Sequence, residues 1–170
     1  TARLFSLSKP EADIATSLTM PKEGRIVGRK LLDYSLGLYA APVYLDRAPK
    51  IASRGDLPGH RFVGYIEELL FTPELDYRPQ VSPKISAKFR SANLIAQLNA
   101  TIAGFGIAVL PHFMASSHPE LHPVLPGEVR ISRTFWMLMH ADSKDLARIR
   151  AVADYVLETV ESERALFSGR

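Results

Sequence analysis

The chain has 170 residues, 46 % of them apolar and 23 % charged, and a net charge of +3 from 21 basic and 18 acidic side chains. That balance excludes a disordered tail, which would be poorer in large apolar residues. The lack of cysteine excludes disulfides, thiolate catalysis and zinc–thiolate centres.

No apolar run reaches the roughly 18 residues of a membrane helix. The excess of positive charge is scattered. Lys84, Lys88 and Arg90 come nearest to a cluster, and they alternate with apolar residues as a solvated strand face does, not as a nucleic-acid footprint does. The opening Thr1–Ser6 carries no initiator Met, signal-peptide core or cleavage motif, and reads as a start inside a longer protein.

In chain order, Arg3–Leu7 is too short to classify. After Pro10, Asp13–Ala15 reads as a short strand. Arg25–Leu32 reads as a second strand and Ser35–Ala40 as a third, stopped by Pro42. Arg61–Ile66 forms another after the turn signal Pro58-Gly59. Phe71–Pro83 holds three prolines and reads as loop. Lys84–Arg90 alternates, with Ile85, Ala87 and Phe89 on one face.

Ser91 then stands where an N-cap belongs. Leu94, Ile95, Leu98, Thr101 and Ile102 follow at helical spacing, and Gly104 closes the helix in the C′ position. Ile107–Leu110 is the apolar run of a strand buried on both faces, stopped by Pro111. Strand, helix and buried strand together predict a βαβ unit and parallel pairing. Phe135–His140 is a further strand. A last helix is expected from Asp142 or Ser143, with Asp145 completing a cap-box arrangement. Its apolar stripe is Leu146, Ile149, Ala153, Val156 and Val160.

The chemical motifs are weak. In Gly104-Phe105-Gly106 the glycines follow a helix and precede a strand, the reverse of a dinucleotide loop, so no cofactor is expected. His118 and His122 have metal-ligand spacing, but Pro119 and Pro123 break the helix that would bring both rings to one face, so no metal is expected either. Glu67-Glu68 reads as solvated loop acids, because paired catalytic carboxylates face each other across a cleft. No Gly-x-Ser-x-Gly elbow is present. Nothing anchors a catalytic constellation, and the reading is that the chain is not an enzyme.

Several stretches in order carry a family resemblance. They are Glu11–Ala15; Arg29–Leu32 with Leu36–Leu45; Asp56–Val63; Ala103–Pro111; and Phe135–Asp142 followed by an amphipathic helix. Together they resemble the effector-binding region of LysR-type transcriptional regulators, from about Leu4 to about Val160. The resemblance implies a two-lobed α/β fold of the periplasmic-binding-protein type, with its first lobe incomplete. Residues 35–132 would form lobe II, and residues 1–34 with 133–170 the remnant of lobe I. It also implies a cytoplasmic protein that binds a small-molecule effector, often an anion, between the lobes and associates with itself. DNA would be read only through a helix-turn-helix absent from this stretch. The implied effector residues are Thr16 and Ser17 after the first-lobe strand, Tyr65, Ser91, Asn93 and Phe105. A solute-binding protein of the same fold is the alternative.

Overall fold

The structure, a computed structural model, describes residues 12–21 and 24–168. Among them are seven strands: β1 (Ile14–Ser17), β2 (Ile26–Ala40), β3 (Phe62–Gly64), β4 (Ala87–Arg90), β5 (Ile107–Pro111), β6 (His122–Val124) and β7 (Ile131–His140). The helices are α1 (Pro42–Leu45), α2 (Arg78–Val81), α3 (Leu94–Ile102), α4 (His112–Ala115), α5 (Ala147–Ser162) and α6 (Arg164–Ser168). All seven strands join one sheet in the order β1-β7-β2-β5-β3-β4, with β6 also on β2.

The sheet is mixed. β3 pairs in parallel with both β4 and β5, as the βαβ pattern requires. The pairs β1–β7, β2–β7, β2–β5 and β2–β6 are antiparallel. The axis of the molecule is β2, with fifteen residues. Its β7 partner runs from Ile26↔His140 to Leu36↔Ile131, where β6 takes over at Leu38↔Val124. The expected break after Leu32 does not occur. Asp33 and Tyr34 stay paired with Thr134 and Arg133, and the Asp33 carboxylate accepts from Lys30 Nζ at 2.6 Å and from Thr134 Oγ1 at 2.6 Å. A polar residue whose acceptors are satisfied need not end a strand. The irregularity falls instead between Lys30 and Leu32, where the register shifts by one residue.

Three apolar clusters hold the layers. Leu36, Leu38, Phe62, Ile107 and Val109 pack on one side of the sheet. Tyr39, Val63, Ala108 and Leu110 pack on the other, against Leu98 of α3. Every residue of β5 is buried, so the expected doubly covered strand is present. Each fully buried large aliphatic side chain contributes roughly 1.5–3 kcal/mol. The third cluster joins Leu31, Met137 and Met139 to Ile149 and Ala153 of α5, which settles where the apolar stripe of the last helix goes.

Two predicted boundaries need correction. Helix α5 starts at Ala147, after an extended Leu146 with no side-chain cap. Asp142, expected to begin the helix, instead forms an ion pair with Arg25, and its N–H donates to His140 Nδ1 at 3.3 Å. The stretch 71–83 is not all loop: Pro73–Leu75 is a 3₁₀ turn, and Pro79 sits in the first turn of α2. Proline fits the first helical turn because the N–H it lacks has no intrahelical acceptor there. The short Arg3–Leu7 segment lies outside the described residues.

Candidate functional site

Strand directions define one place where a ligand would meet the ends of several strands. β1 is antiparallel to β7, and β7 to β2, so β1 runs with β2. It ends at Ser17, level with Trp136 and therefore with Lys30. From the other direction, β5 runs against β2 and ends at Pro111, level with Leu36. β3 and β4 run with β5. The carboxyl ends of both strand sets thus approach the middle of β2, between Lys30 and Leu36. In open α/β sheets, ligands bind outside the carboxyl ends of strands, because side chains and backbone groups of the following turns converge there.

The middle of the two long strands is aromatic and basic. The Tyr34 ring stacks on Phe135 with centroids 4.4 Å apart and meets Phe113 edge-on at 6.0 Å. Burial pushes the Tyr34 phenol up to about 12. Burial likewise raises Tyr65, whose ring lies 6.2 Å from Tyr77, and raises Tyr77 further. The Arg133 guanidinium lies 5.6 Å from the Tyr77 centroid. It is held by neutral acceptors, with Nε donating to Glu74 O at 2.9 Å and Nη2 to Gln80 Oε1 at 2.8 Å. Arg78, by contrast, is neutralised by Glu67 at 2.8 Å and Asp76 at 3.0 Å. The Arg78 side chain holds the Asp76 carboxyl below its ordinary range. A cavity of about 60 Å³ sits among Gly64, Tyr65, Glu67, Tyr77, Arg78 and Gln97. That is room for a few waters, not for a metabolite, so a larger ligand requires the loop carrying Tyr65–Arg78 to shift.

The predicted residues divide into two places. Thr16 and Ser17 close β1, with Ser17 Oγ accepting from Thr19 N at 3.1 Å. Tyr65 follows β3. Ser91 follows β4 and is tied to the β3 end, its N–H donating to Gly64 O at 3.0 Å. These stand at the converging strand ends. Phe105 does not join them. It precedes β5, at the amino end of a strand parallel to β3, and packs on Phe89 at 5.6 Å.

The capping assignment also changes. Asn93, not Ser91, is the N-cap of α3: its side-chain oxygen accepts from Ile95 N at 2.8 Å and Ala96 N at 3.4 Å. Ser91 acts one step earlier, its Oγ accepting from Asn93 N at 3.1 Å.

Sequence reasoning missed Tyr34, Tyr77, Arg133 and Gln97. Gln97 is 1 % exposed and donates from Nε2 to Ser91 O at 2.8 Å, bracing the turn before α3. Its signal was a polar residue three positions after Leu94, on the buried helical stripe. The other motifs behave as local structure. Gly104 has φ +77°, the left-handed cap geometry, beyond α3. His118 turns to Glu120 at 3.4 Å while His122 opens β6. Among the described residues no cluster of three or more metal-ligating side chains forms, and no helix is long and apolar enough to cross a membrane.

Comparison with known proteins gives a consistent result. A family model described as LysR substrate binding domain matches residues 1–161. The probable HTH-type transcriptional regulator SinR of Salmonella typhimurium strain LT2 is 30 % identical over 109 residues, 59 % of this chain and 35 % of that protein. The chain therefore spans about a third of that curated relative. The regulatory domain of CrgA, a LysR-type transcriptional regulator from Neisseria meningitidis, superposes with a TM-score of 0.78 at 21 % identity, covering 94 % of this chain and 81 % of that one. Full-length AphB, the virulence activator of Vibrio cholerae, superposes at 0.71 with 20 % identity, covering 86 % of this chain and 51 % of that one. The shared fold is mixed α/β, of the periplasmic-binding-protein kind.

Proposed function

Because the chain belongs to the LysR substrate-binding domain family, we propose that it senses a small-molecule effector held where the strand ends converge on the middle of β2. That convergence carries the reading. Ser17 and Thr16 approach from one direction, Tyr65, Ser91 and Asn93 from the other, and Arg133 with its neutral acceptors supplies a cation suited to an acidic ligand. Residues 1–34 with 133–170 then form one lobe and residues 35–132 the second, with β2 and β7 as the connecting strands. Phe105 belongs to the packing of lobe II.

On this reading the chain is a sensor and not an enzyme. It acts in the cytoplasm within an oligomeric, DNA-binding regulator whose helix-turn-helix lies outside this sequence. An effector changes the angle between the lobes only to the extent that it binds one arrangement more tightly than the other. The relatives SinR, CrgA and AphB are transcription regulators by name, which favours this over an exported solute-binding protein.

The test is a thermal-shift screen of the 170-residue chain against small carboxylic acids and neutral aromatic compounds, followed by calorimetry on any hit. Ser17→Ala and Tyr65→Phe should each weaken binding several-fold, and Lys84→Gln, on the exposed segment before β4, should not. A ligand whose affinity ignores both site substitutions would place the effector elsewhere.

A further inference from the structure

A cavity of about 310 Å³ opens at the opposite end of the sheet, where β3 and β5 begin. Tyr44, Arg47, Gly59, Arg61, Ala103 and Gly104 line it. Its two guanidinium groups differ from six other basic side chains among the described residues. Arg25, Arg29, Lys30, Arg78, Lys144 and Arg164 each face a carboxylate. Neither Arg47 nor Arg61 does so within ion-pair distance among the described residues.

Arg61 is also held in place. Its guanidinium carbon lies 5.4 Å from the centroid of Tyr44 and 5.3 Å from that of Phe105, contacts that favour a planar cation over a ring face. The platform is itself fixed. Tyr44 Oη accepts from Arg61 N at 3.0 Å and is hydrogen-bonded to His60 Nδ1, also at 3.0 Å. The nearby Asp56 carboxylate is occupied by Ala52 N, Ser53 N and Ser53 Oγ. Opposing an anion is the carboxyl end of α3, which carries roughly half an elementary negative charge. Part of that charge is already used, since Gly104 N and Phe105 N donate to Thr101 O and Ala100 O. Two full positive charges exceed it.

We propose that this cavity is a second binding site, for the carboxylate or phosphate group of a small molecule, with Arg61 as the preorganised partner and Arg47 as the second cation. Guanidinium presents paired donors that match both oxyanions. The volume is at the lower end of small-ligand pockets, roughly 300–1,000 Å³. The site is remote from the converging strand ends, so it stands or falls independently of the effector reading.

Calorimetric titration of the 170-residue chain at low ionic strength, once with inorganic phosphate and once with succinate, tests the proposal. Saturable one-to-one binding of at least one probe is expected. Arg61→Gln and Arg47→Gln should each weaken it about tenfold, the loss of one charged hydrogen-bonding partner, while Lys84→Gln leaves it unchanged. Binding of phosphate alone assigns a phosphate-bearing ligand, and of succinate alone a carboxylate. Should Arg61→Gln fail to fold without its ring contacts, Arg47→Gln carries the comparison. No saturable binding of either probe, or binding that survives the Arg47 substitution, overturns the proposal.

Discussion

Asn93 shows how a single side chain can be read two ways from sequence and only one way from structure. Both Ser91 and Asn93 are good N-cap residues, and two positions separate them. The helix takes the later one, because Ser91 is held extended by its N–H bond to Gly64 O, as a continuation of the β4 end. Asn93 therefore caps α3. Its replacement by alanine should cost roughly 0.5–2 kcal/mol in chemical denaturation, the usual value of a lost cap. Asn93→Asp should keep most of that stability, since a carboxylate also accepts from the first turn and suits the helix dipole. Equal stability of the alanine variant and the parent protein would remove the cap from the account. The same local ambiguity hid Arg133 and Tyr77. One lies inside an alternating strand and the other in a proline-rich stretch, and nothing in either neighbourhood signals that the fold brings them 5.6 Å apart.

At the scale of elements, periodic segments were legible and junctions were not. The β4–α3–β5 unit, the doubly buried β5 and the left-handed Gly104 cap all follow from patterns of apolar residues and one glycine. The start of α5 did not, because Asp142 finds Arg25, a partner 117 positions away that no local pattern reveals. Junctions of this kind are fixed by tertiary bonds, and the Tyr44–His60 pair is another, tying α1 to the residue two before β3. Burial holds the His60 pKa below the ordinary histidine value, so the ring that meets Tyr44 favours its neutral form. His112, facing Tyr39, is lowered for the same reason and by Arg130. A lowered histidine pKa means that the unfolded chain binds more protons than the folded one at mildly acid pH. Stability should be flat above about pH 6.5 and fall as the pH drops from there through the folded-state values. Urea unfolding at pH 8, 7 and 5.5 measures the slope. His60→Gln, which keeps a hydrogen-bonding partner for Tyr44, should flatten it in part, with His112 supplying the remainder. A slope unchanged by that substitution would show that the latch does not titrate in this range.

Among the described residues, packing along the two long strands sorts into a larger and a smaller group that share Phe135 and Val160. The larger has two apolar clusters on opposite sides of β5, β3 and the second half of β2. The smaller has one, formed by Leu31, Met137, Met139, Ile149 and Ala153. Between them the β2–β7 ladder is irregular at Lys30–Leu32, the point where β1 ends and before β5 begins to pair. Extended pairing resists shear but not bending, and an irregular ladder bends most easily where a residue is unpaired. The composition gave no hint of this asymmetry, since apolar residues are spread along the chain, and only the topology sorts them into unequal clusters. Local opening free energies follow local burial, so native-state hydrogen exchange should separate the two units. Amides of Ala108, Val109 and Leu110, in a strand buried on both faces, should exchange only through the largest openings. Those of Leu138 and Met139 should exchange through smaller ones, and they should respond to Ile149→Ala, which removes a side chain 2 % exposed from the smaller cluster. That substitution costs roughly 2–5 kcal/mol where packing cannot relax. If the two units are energetically distinct, the loss should appear at Leu138 and Met139 and be nearly absent at Leu110. Equal loss of protection at all of these amides would mean that the molecule opens as a single cooperative body, and that β2 and β7 transmit strain along their full length instead of bending at Leu31.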